Sequence, residues 1–377
     1  MAGVENRIPA VTMIKPAALK ILCVGGARPN FMKLAPLVRA LRQDAAFEPV
    51  LVHTGQHYDE KMSGQFFREL GMLAPAHNLE VGSASHAQQT GEIMKRFEPV
   101  LLDENPAAVV VVGDVNSTVA CALVAKKLLY PVVHVEAGLR SLDRSMPEEI
   151  NRIVTDAISD LLLVTEESGM MNLLREGIPE ARVVHVGNLM IDSLYYHLEK
   201  AKDSDVITRL GIPSGPFGLV TLHRPANVDD PERLAELMRA LDWISQDLPL
   251  YFPVHPRTQA HLRNGNVGRH IHLIDPLGYL DFLGLMFHSS AVFTDSGGIQ
   301  EETTVLGRPC LTLRENTERP VTIEQGTNTL AGTTYDSIVS AWKQVRVRPK
   351  TARVPKMWDG HAADRSLVAL GSFLKTN

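Results

Sequence analysis

The chain is predicted to fold as two α/β domains, each a parallel, doubly wound sheet. Three features of the sequence predict this. Apolar runs alternate with helix-period segments along most of the chain, the pattern of successive βαβ units. Several runs, AAVVVVG (107–113) above all, are apolar without alternation, as strands covered on both faces must be. A chain of 377 residues also exceeds one ordinary core, so the series divides in two.

In chain order, residues 1–18 carry Glu5, Arg7 and Lys15 scattered through them, so no secretory apolar region can be drawn. They read as a short disordered leader. LKILCVG (19–25) is a buried-strand run that opens the first domain, 19–190, and a helical stretch follows at about 31–41. EPVLVHTG (48–55), AAVVVVG, PVVHVEAG (131–138), DLLLVTE (160–166) and ARVVHVG (181–187) continue the series, with helices between. A helical segment at about 190–201 has no strand signal and turns polar. With KDSDVITRLGIPSGP after it, the stretch 191–215 is assigned as the linker. The second domain, 216–360, runs through FGLVTLH (217–223), PLYFPVH (249–255), HIHLIDP (270–276), SAVFTDSGG (290–298) and RPCLTL (308–313). A last helix at about 361–377 is expected to pack back on the first domain. Each strand ends in a polar or glycine-bearing loop, and open α/β sheets bind ligands outside those ends. Two such edges facing each other define a cleft.

Composition narrows the function. The hydrophobic fraction of 45% and charged fraction of 21% are those of a globular protein. A net charge of -5 offers no footprint for nucleic acid and no polybasic membrane patch, and no apolar run spans a bilayer. Cys23, Cys121 and Cys310 lie in apolar surroundings without metal-ligand spacing. They read as buried thiols in a reducing compartment, with the cytoplasm as the default. Ser-His-Asp order, HExxH, paired CxxC and a Walker lysine loop are all missing, and no metal site is expected.

TDSGGIQEE (294–302) is the clearest ligand signal. Ser296, Gly297 and Gly298 open a helix at a strand end, where free N–H groups bind anions and glycines admit close approach. The bland alternative is a tight turn with Ser296 as its cap. Glu301 and Glu302 are placed to take sugar hydroxyls. GGARPNFMK (25–33) is the matching element of the first half, with Arg28 and Lys33 bracketing a helix start. Its glycines do not complete GxGxxG, so no nicotinamide or flavin cofactor is expected. Asp114, in GDVNST, is either a helix cap or a base pointing into the cleft. His223 with Arg224, and His255 one strand later, occupy equivalent strand ends that pattern alone does not rank. NTERP (316–320) sets Glu318 and Arg319 in another such loop. HVEAGLRSLDRSMPEEINR (134–152) packs four carboxylates, Glu136, Asp143, Glu148 and Glu149, between a strand and a helix. These are either a solvated face or the acids and bases of a site.

Together these motifs resemble the non-hydrolysing UDP-N-acetylglucosamine 2-epimerase family. GARPNFMKLAP, TGQHYD, GDVNST, HVEAGLR, MPEEINR, VGN, LHRP, VHPR, LIDPLGYLDF, DSGGIQEE and RENTERP occur in the family's order across nearly the whole chain. The resemblance implies two Rossmann-like domains in the glycosyltransferase-B arrangement, a UDP-sugar in the cleft, a homodimer, and neither metal nor nicotinamide. It implies inversion at C2, giving UDP-N-acetylmannosamine through expulsion and re-addition of UDP across a bound 2-acetamidoglucal. Matched by position, Asp114, Glu136 and Glu148 are the catalytic acids, and His223 aids departure of UDP. Arg28, Ser296 and Gly297 hold the diphosphate, Glu302 the ribose, and Phe282 the uracil. Arg140 and Arg152, beside the acids, are expected to keep them ionised. Of the remaining carboxylates, Asp143 and Glu149 are expected to be solvated or structural.

Two departures bear on substrate and regulation. The family's better-known bacterial members have RPE where this chain has Arg28-Pro29-Asn30, and a QHRE-like segment where it has Gln56-His57-Tyr58-Asp59. The second puts activation by a further UDP-GlcNAc in question. Asn30 and Ala226 leave room for a modified substrate such as a diacetamido uronate. The rivals are a UDP-sugar transferase of the same architecture, which needs only one base, and a sensor that has lost its chemistry. Three acids on one cleft edge favour the epimerase.

Overall fold

The computed structural model describes residues 18–55, 67–72, 74–254, 256–262, 267–351 and 353–376. The leader and the segment at Gln56–Asp59 lie outside this set, as does His255. The first sheet has seven strands: β1 Leu19–Gly25, β2 Phe47–His53, β3 His77–Asn78, β4 Ala108–Val112, β5 Val132–Ala137, β6 Leu161–Val164 and β7 Val183–His185. They pair in the order β3-β2-β1-β4-β5-β6-β7. The second has six: β8 Gly218–Thr221, β9 Leu250–Pro253, β10 Ile271–Ile274, β11 Ala291–Thr294, β12 Cys310–Thr312 and β13 Asn328–Leu330, in the order β10-β9-β8-β11-β12-β13. Every ladder is parallel. Strand order therefore reverses once in each sheet, between β1 and β4 and between β8 and β11. At such a switch point the two flanking loops diverge and leave a crevice.

The strand centres are apolar because helices cover both faces. All five residues of β4 are buried, and Val109 and Val111 pack to one side while Val110 and Val112 pack to the other. β3 and β13 are two- and three-residue edge strands, too short for a sequence signal.

The join between domains differs from the linker expected at 191–215. Helix Leu189–Lys202 occupies much of it and is buried along one side. Leu189 and Met190 belong to the first core, Leu194 and Ala201 to the second. The ring nitrogens of His197 lie against the carbonyls of Ser193 (Nδ1, 2.7 Å) and Glu69 (Nε2, 2.9 Å). An apolar side shared by the two cores ties the helix down. Helix Ala362–Thr376 lies on the first domain, with Ala362, Ala363 and Leu370 in its core. Both carboxylate oxygens of Asp192 accept N–H groups at its start, from Ala362 (3.1 Å) and Ala363 (2.7 Å).

Candidate active site

Both switch points carry the chemistry-bearing residues. In the first domain, β1 runs into helix Arg28–Gln43 through a turn built on Asn30. Its Oδ1 accepts the N–H groups of Gly26 (3.2 Å) and Ala27 (3.0 Å), and its Nδ2 donates to the carbonyl of Val112 (3.1 Å). Asn30, singled out as a possible substrate determinant, is therefore consumed in joining β1 to β4. Arg28 stands exposed in the first turn of the helix. Lys33, expected to bracket the helix start with Arg28, pairs with a carboxylate. One turn further in, it is buried and ion-paired with the carboxylate of Glu136.

Glu136 owes its direction to the backbone. The pairing of β5 with β6 slips between Val135 and Ala137, so Glu136 is the extra residue of a β-bulge, and its φ is 68°. Bulges re-aim a side chain, and a left-handed φ at a non-glycine residue is sparsely populated and sits at functional sites when observed. Oε2 meets Lys33, and Oε1 lies 2.6 Å from Nη2 of Arg319, from the second domain.

Asp114 follows β4 with its side chain 30% exposed, and its Oδ2 accepts from Arg152 Nη2 at 2.5 Å. Arg152 thus stands beside an acid as expected, and its Nη1 reaches Glu149 at 3.2 Å. Arg140 does not. Its guanidinium is buried against Asp156 (2.7 Å) and Glu176 (2.6 Å) rather than against a candidate catalytic acid. The sequence set Arg140 four residues from Glu136, but Glu136 pairs with Lys33 and Arg319 instead. Glu149 staples the loop, accepting from Ser141 N (2.9 Å), Ser141 Oγ (3.0 Å) and Leu142 N (2.9 Å). Asp143 accepts from Ser145 N (3.0 Å) and Oγ (2.6 Å). Glu148 opens helix Pro147–Ile158, where the helix dipole favours its charge, and is half-buried. No other described side chain pairs with it.

In the second domain, Asp295 at the end of β11 organises the rim. It is fully buried and accepts the N–H groups of His223 (3.2 Å) and Arg224 (3.0 Å) and Nδ2 of Asn227 (3.1 Å). Its Oδ1 also lies 2.9 Å from Nδ1 of His223, whose side chain is 62% exposed. Burial opposes ionisation of Asp295, but His223 and these donors outweigh it and hold the carboxyl below its ordinary value. With Nδ1 committed to Asp295, Nε2 of His223 is the nitrogen presented to a ligand.

Helix Gly297–Leu306 begins beside His223. The cap residue, Ser296, makes no side-chain cap bond, so the first-turn N–H groups remain available to an anion. A Cβ on Gly297 would come within 2.4 Å of Arg319 Nη1, and one on Gly298 within 2.8 Å of Met190 Cε. These glycines admit the protein's own side chains as closely as they would a ligand. Glu302, expected on a ribose, is buried, and its Oε1 accepts from the Tyr279 hydroxyl at 2.8 Å. Burial pushes its carboxyl up to about 7. Phe282 is half-buried in the apolar cluster around Leu283 and Leu285.

Arg319 is the centre of the site. It is buried and engages three carboxylates: Glu136 (2.6 Å), Glu301 (2.6 Å) and Glu318 (2.5 Å). Glu318 also meets Arg314 (2.8 Å) and Arg224 (3.4 Å). Burial alone would raise the Glu318 carboxyl, yet the three guanidiniums hold it well below the ordinary range. Asp295 was not singled out as a site residue in the sequence and Glu318 was noted only as part of a loop, while Glu301, expected on sugar hydroxyls, pairs with Arg319 instead. The available signal was place: Asp295 follows β11 and Glu318 lies just before helix Pro320–Glu324, where only a partner makes a buried charge tolerable.

Glu166, after β6, is a further buried acid facing this cluster. Burial pushes its carboxyl up to about 8; Ser168 donates to Oε1 at 2.5 Å, while Glu301, Arg319 and Glu136 act at longer range. Between about 4.5 and about 8 the folded state keeps a proton that the unfolded chain releases, so this group costs stability as pH rises. Glu166→Gln is accordingly expected to raise Tm at pH 8.5 and to leave it unchanged at pH 5, as measured by scanning calorimetry. Equal Tm shifts at both pH values would contradict the assignment.

Fold and site together define a two-domain α/β protein with an open helix start beside a cluster of buried carboxylates and guanidiniums. The family model described as UDP-N-acetylglucosamine 2-epimerase matches residues 39–371, and the chain belongs to that family. A UDP-N-acetylglucosamine 2-epimerase of Methanocaldococcus jannaschii is 42% identical over 86% of this chain and 91% of its own. A UDP-2,3-diacetamido-2,3-dideoxy-D-glucuronate 2-epimerase of Pseudomonas aeruginosa is 41% identical, again over 86% and 91%. Among solved structures, that of the M. jannaschii epimerase in complex with UDP-GlcNAc and UDP superposes with a TM-score of 0.88 at 41% identity. The match covers 94% of this chain and 100% of that one.

Proposed function

We propose that the chain interconverts UDP-GlcNAc and UDP-ManNAc without hydrolysis. The observation that carries the reading is Glu136, aimed by a bulge and held between Lys33 and Arg319, with Asp114 on the adjacent strand end and Glu148 at a helix start without a partner among the described residues. The C2 proton of the sugar is weakly acidic, so a positioned base must remove it. As the proton passes to a carboxylate, the C1–O bond breaks, its electron pair leaves with UDP, and C1=C2 forms. UDP oxygen then re-attacks C1 while a second carboxyl delivers a proton to the opposite face of C2. Two acids on separate elements meet that need, where a transferase needs one.

The leaving diphosphate collects negative charge. The free N–H groups at Gly297 and Gly298, Arg28, and Nε2 of His223 are the donors that receive it, already oriented before reaction. Asp295 holds the histidine ring in place. Glu302 and Phe282 are proposed against the nucleoside. The three buried thiols fit a reducing compartment, so the cytoplasm is the proposed location, and a homodimer the proposed assembly.

A second reading has the P. aeruginosa relative behind it: the same chemistry on a UDP-2,3-diacetamido uronate. Incubation with each sugar nucleotide, followed by proton NMR of the products, decides between them. UDP-ManNAc from UDP-GlcNAc supports the first reading. Conversion of the uronate alone moves the substrate assignment, and free ManNAc would mean hydrolysis.

A further inference from the structure

The bulged backbone at Glu136 persists only if its surroundings over-determine it. The group that does so is Asp156, a fully buried carboxylate in the last turn of helix Pro147–Ile158. Its Oδ2 accepts the N–H of Gly138 at 3.1 Å, two residues after Glu136, and lies 2.7 Å from Nη1 of Arg140. Its Oδ1 lies 2.6 Å from Nδ1 of His134, two residues before Glu136. One carboxylate therefore fixes the chain on both sides of the bulge.

His134 extends the connection to the other candidate acid. The ring is fully buried, and its Nε2 lies 2.8 Å from the carbonyl oxygen of Gly113, the residue before Asp114. An ionised carboxylate and a carbonyl both only accept, so each ring nitrogen faces a group to which it can only donate. Gly113 itself has φ 69°, and its N–H donates to the Val135 carbonyl at 3.0 Å, so the two strand ends are cross-tied twice. Burial works against the charge on Asp156, but His134 and Arg140 outweigh it. Arg140 is closed off in turn by Glu176. None of these four side chains is within the ion-pair cluster of Arg319, and the proposed chemistry uses none of them.

We propose that His134 and Asp156 form a positioning unit that sets Asp114 and Glu136 at their relative places for proton transfer. The unit acts through the backbone of Gly113 and Gly138. It rests on the epimerase reading above for what is positioned, and on geometry alone for how. Displacing a catalytic group by about 1 Å can cost about 100-fold in rate, so loosening the unit is expected to appear in turnover rather than in nucleotide binding.

The test uses the full-length enzyme with His134→Gln, His134→Asn and Asp156→Asn. Turnover is counted per UDP-binding site, titrated by calorimetry, so that unfolded protein does not enter. The expected result is a fall in kcat of about 10- to 100-fold, an unchanged KM, and a larger kinetic isotope effect with C2-deuterated substrate. Turnover per UDP site equal to the parent's, or losses confined to KM, would overturn the proposal. A second measurement needs no variant: nitrogen-15 NMR of the parent is expected to detect slowly exchanging protons on both ring nitrogens of His134. A single ring proton would break the link between Asp156 and Gly113 and overturn the unit. Failure of the parent to exchange C2 of either sugar nucleotide would instead defeat the epimerase reading, with the NMR result still deciding the unit.

Discussion

Glu136→Gln is expected to lower turnover of UDP-GlcNAc by about 10²- to 10⁴-fold, the usual scale for losing a general acid or base. The amide keeps the shape of the carboxylate and still accepts from Arg319, but it presents an NH₂ group to Lys33. Removing a charge held between two cations also lowers Tm, so turnover is to be read per UDP-binding site. Asp114→Asn, which removes the charge facing Arg152, is read in the same way, and Glu148→Gln separates chemistry from stability. Glu148 is half-buried with no described partner, so its replacement leaves Tm in place while turnover still falls by about 100-fold. Steady-state kinetics with UDP-binding titration measures all three. Parent-like rates in all three variants would contradict the assignment of the acids.

Arg319→Met is the substitution with the largest expected effect on stability. It strands Glu136, Glu301 and Glu318 around an uncharged side chain. Removing one partner of a buried ion pair costs about 3–5 kcal/mol. For domains of this size that corresponds to a drop in Tm of roughly 6–20 °C. Arg319→Lys recovers only part, because an ammonium cannot present donors to three carboxylates in the guanidinium's plane. Acid attacks the same cluster from the other side. The depressed Glu318 carboxyl contributes stability above the ordinary carboxylate range, and that stability is lost as pH falls through its folded value. Calorimetry across pH checks both statements; an unchanged Tm in Arg319→Met would contradict the first.

The strands were legible because their physics is local. β1 coincides with the run LKILCVG, and β4 lies within AAVVVVG, since a strand buried on both faces has no choice but to be apolar. The site was legible as far as strand ends could be counted: Asp114, Glu136, His223 and Ser296 all follow apolar runs. Three things were not. The bulge at Glu136 depends on pairing with β6, which the sequence of β5 does not contain. Arg140 and Arg152 are both arginines near acids in sequence, yet one turns to Asp156 and the other to Asp114, a distinction made by the path of a loop. The pairing of Glu136 with Arg319 spans 183 residues and two domains, and only the packed structure brings them together. The linker reading of 191–215 had a similar cause. Polar residues on the outer side of helix Leu189–Lys202 hid an inner side shared by two cores.

The central claim is that a proton leaves C2 to solvent-exchangeable carboxylates and a different proton returns. Epimerisation in deuterated water, followed by proton NMR, tests it most directly. The structure predicts UDP-ManNAc carrying deuterium at C2, with Glu136→Gln slowing its appearance. UDP-ManNAc that retains protium at C2 would contradict the account.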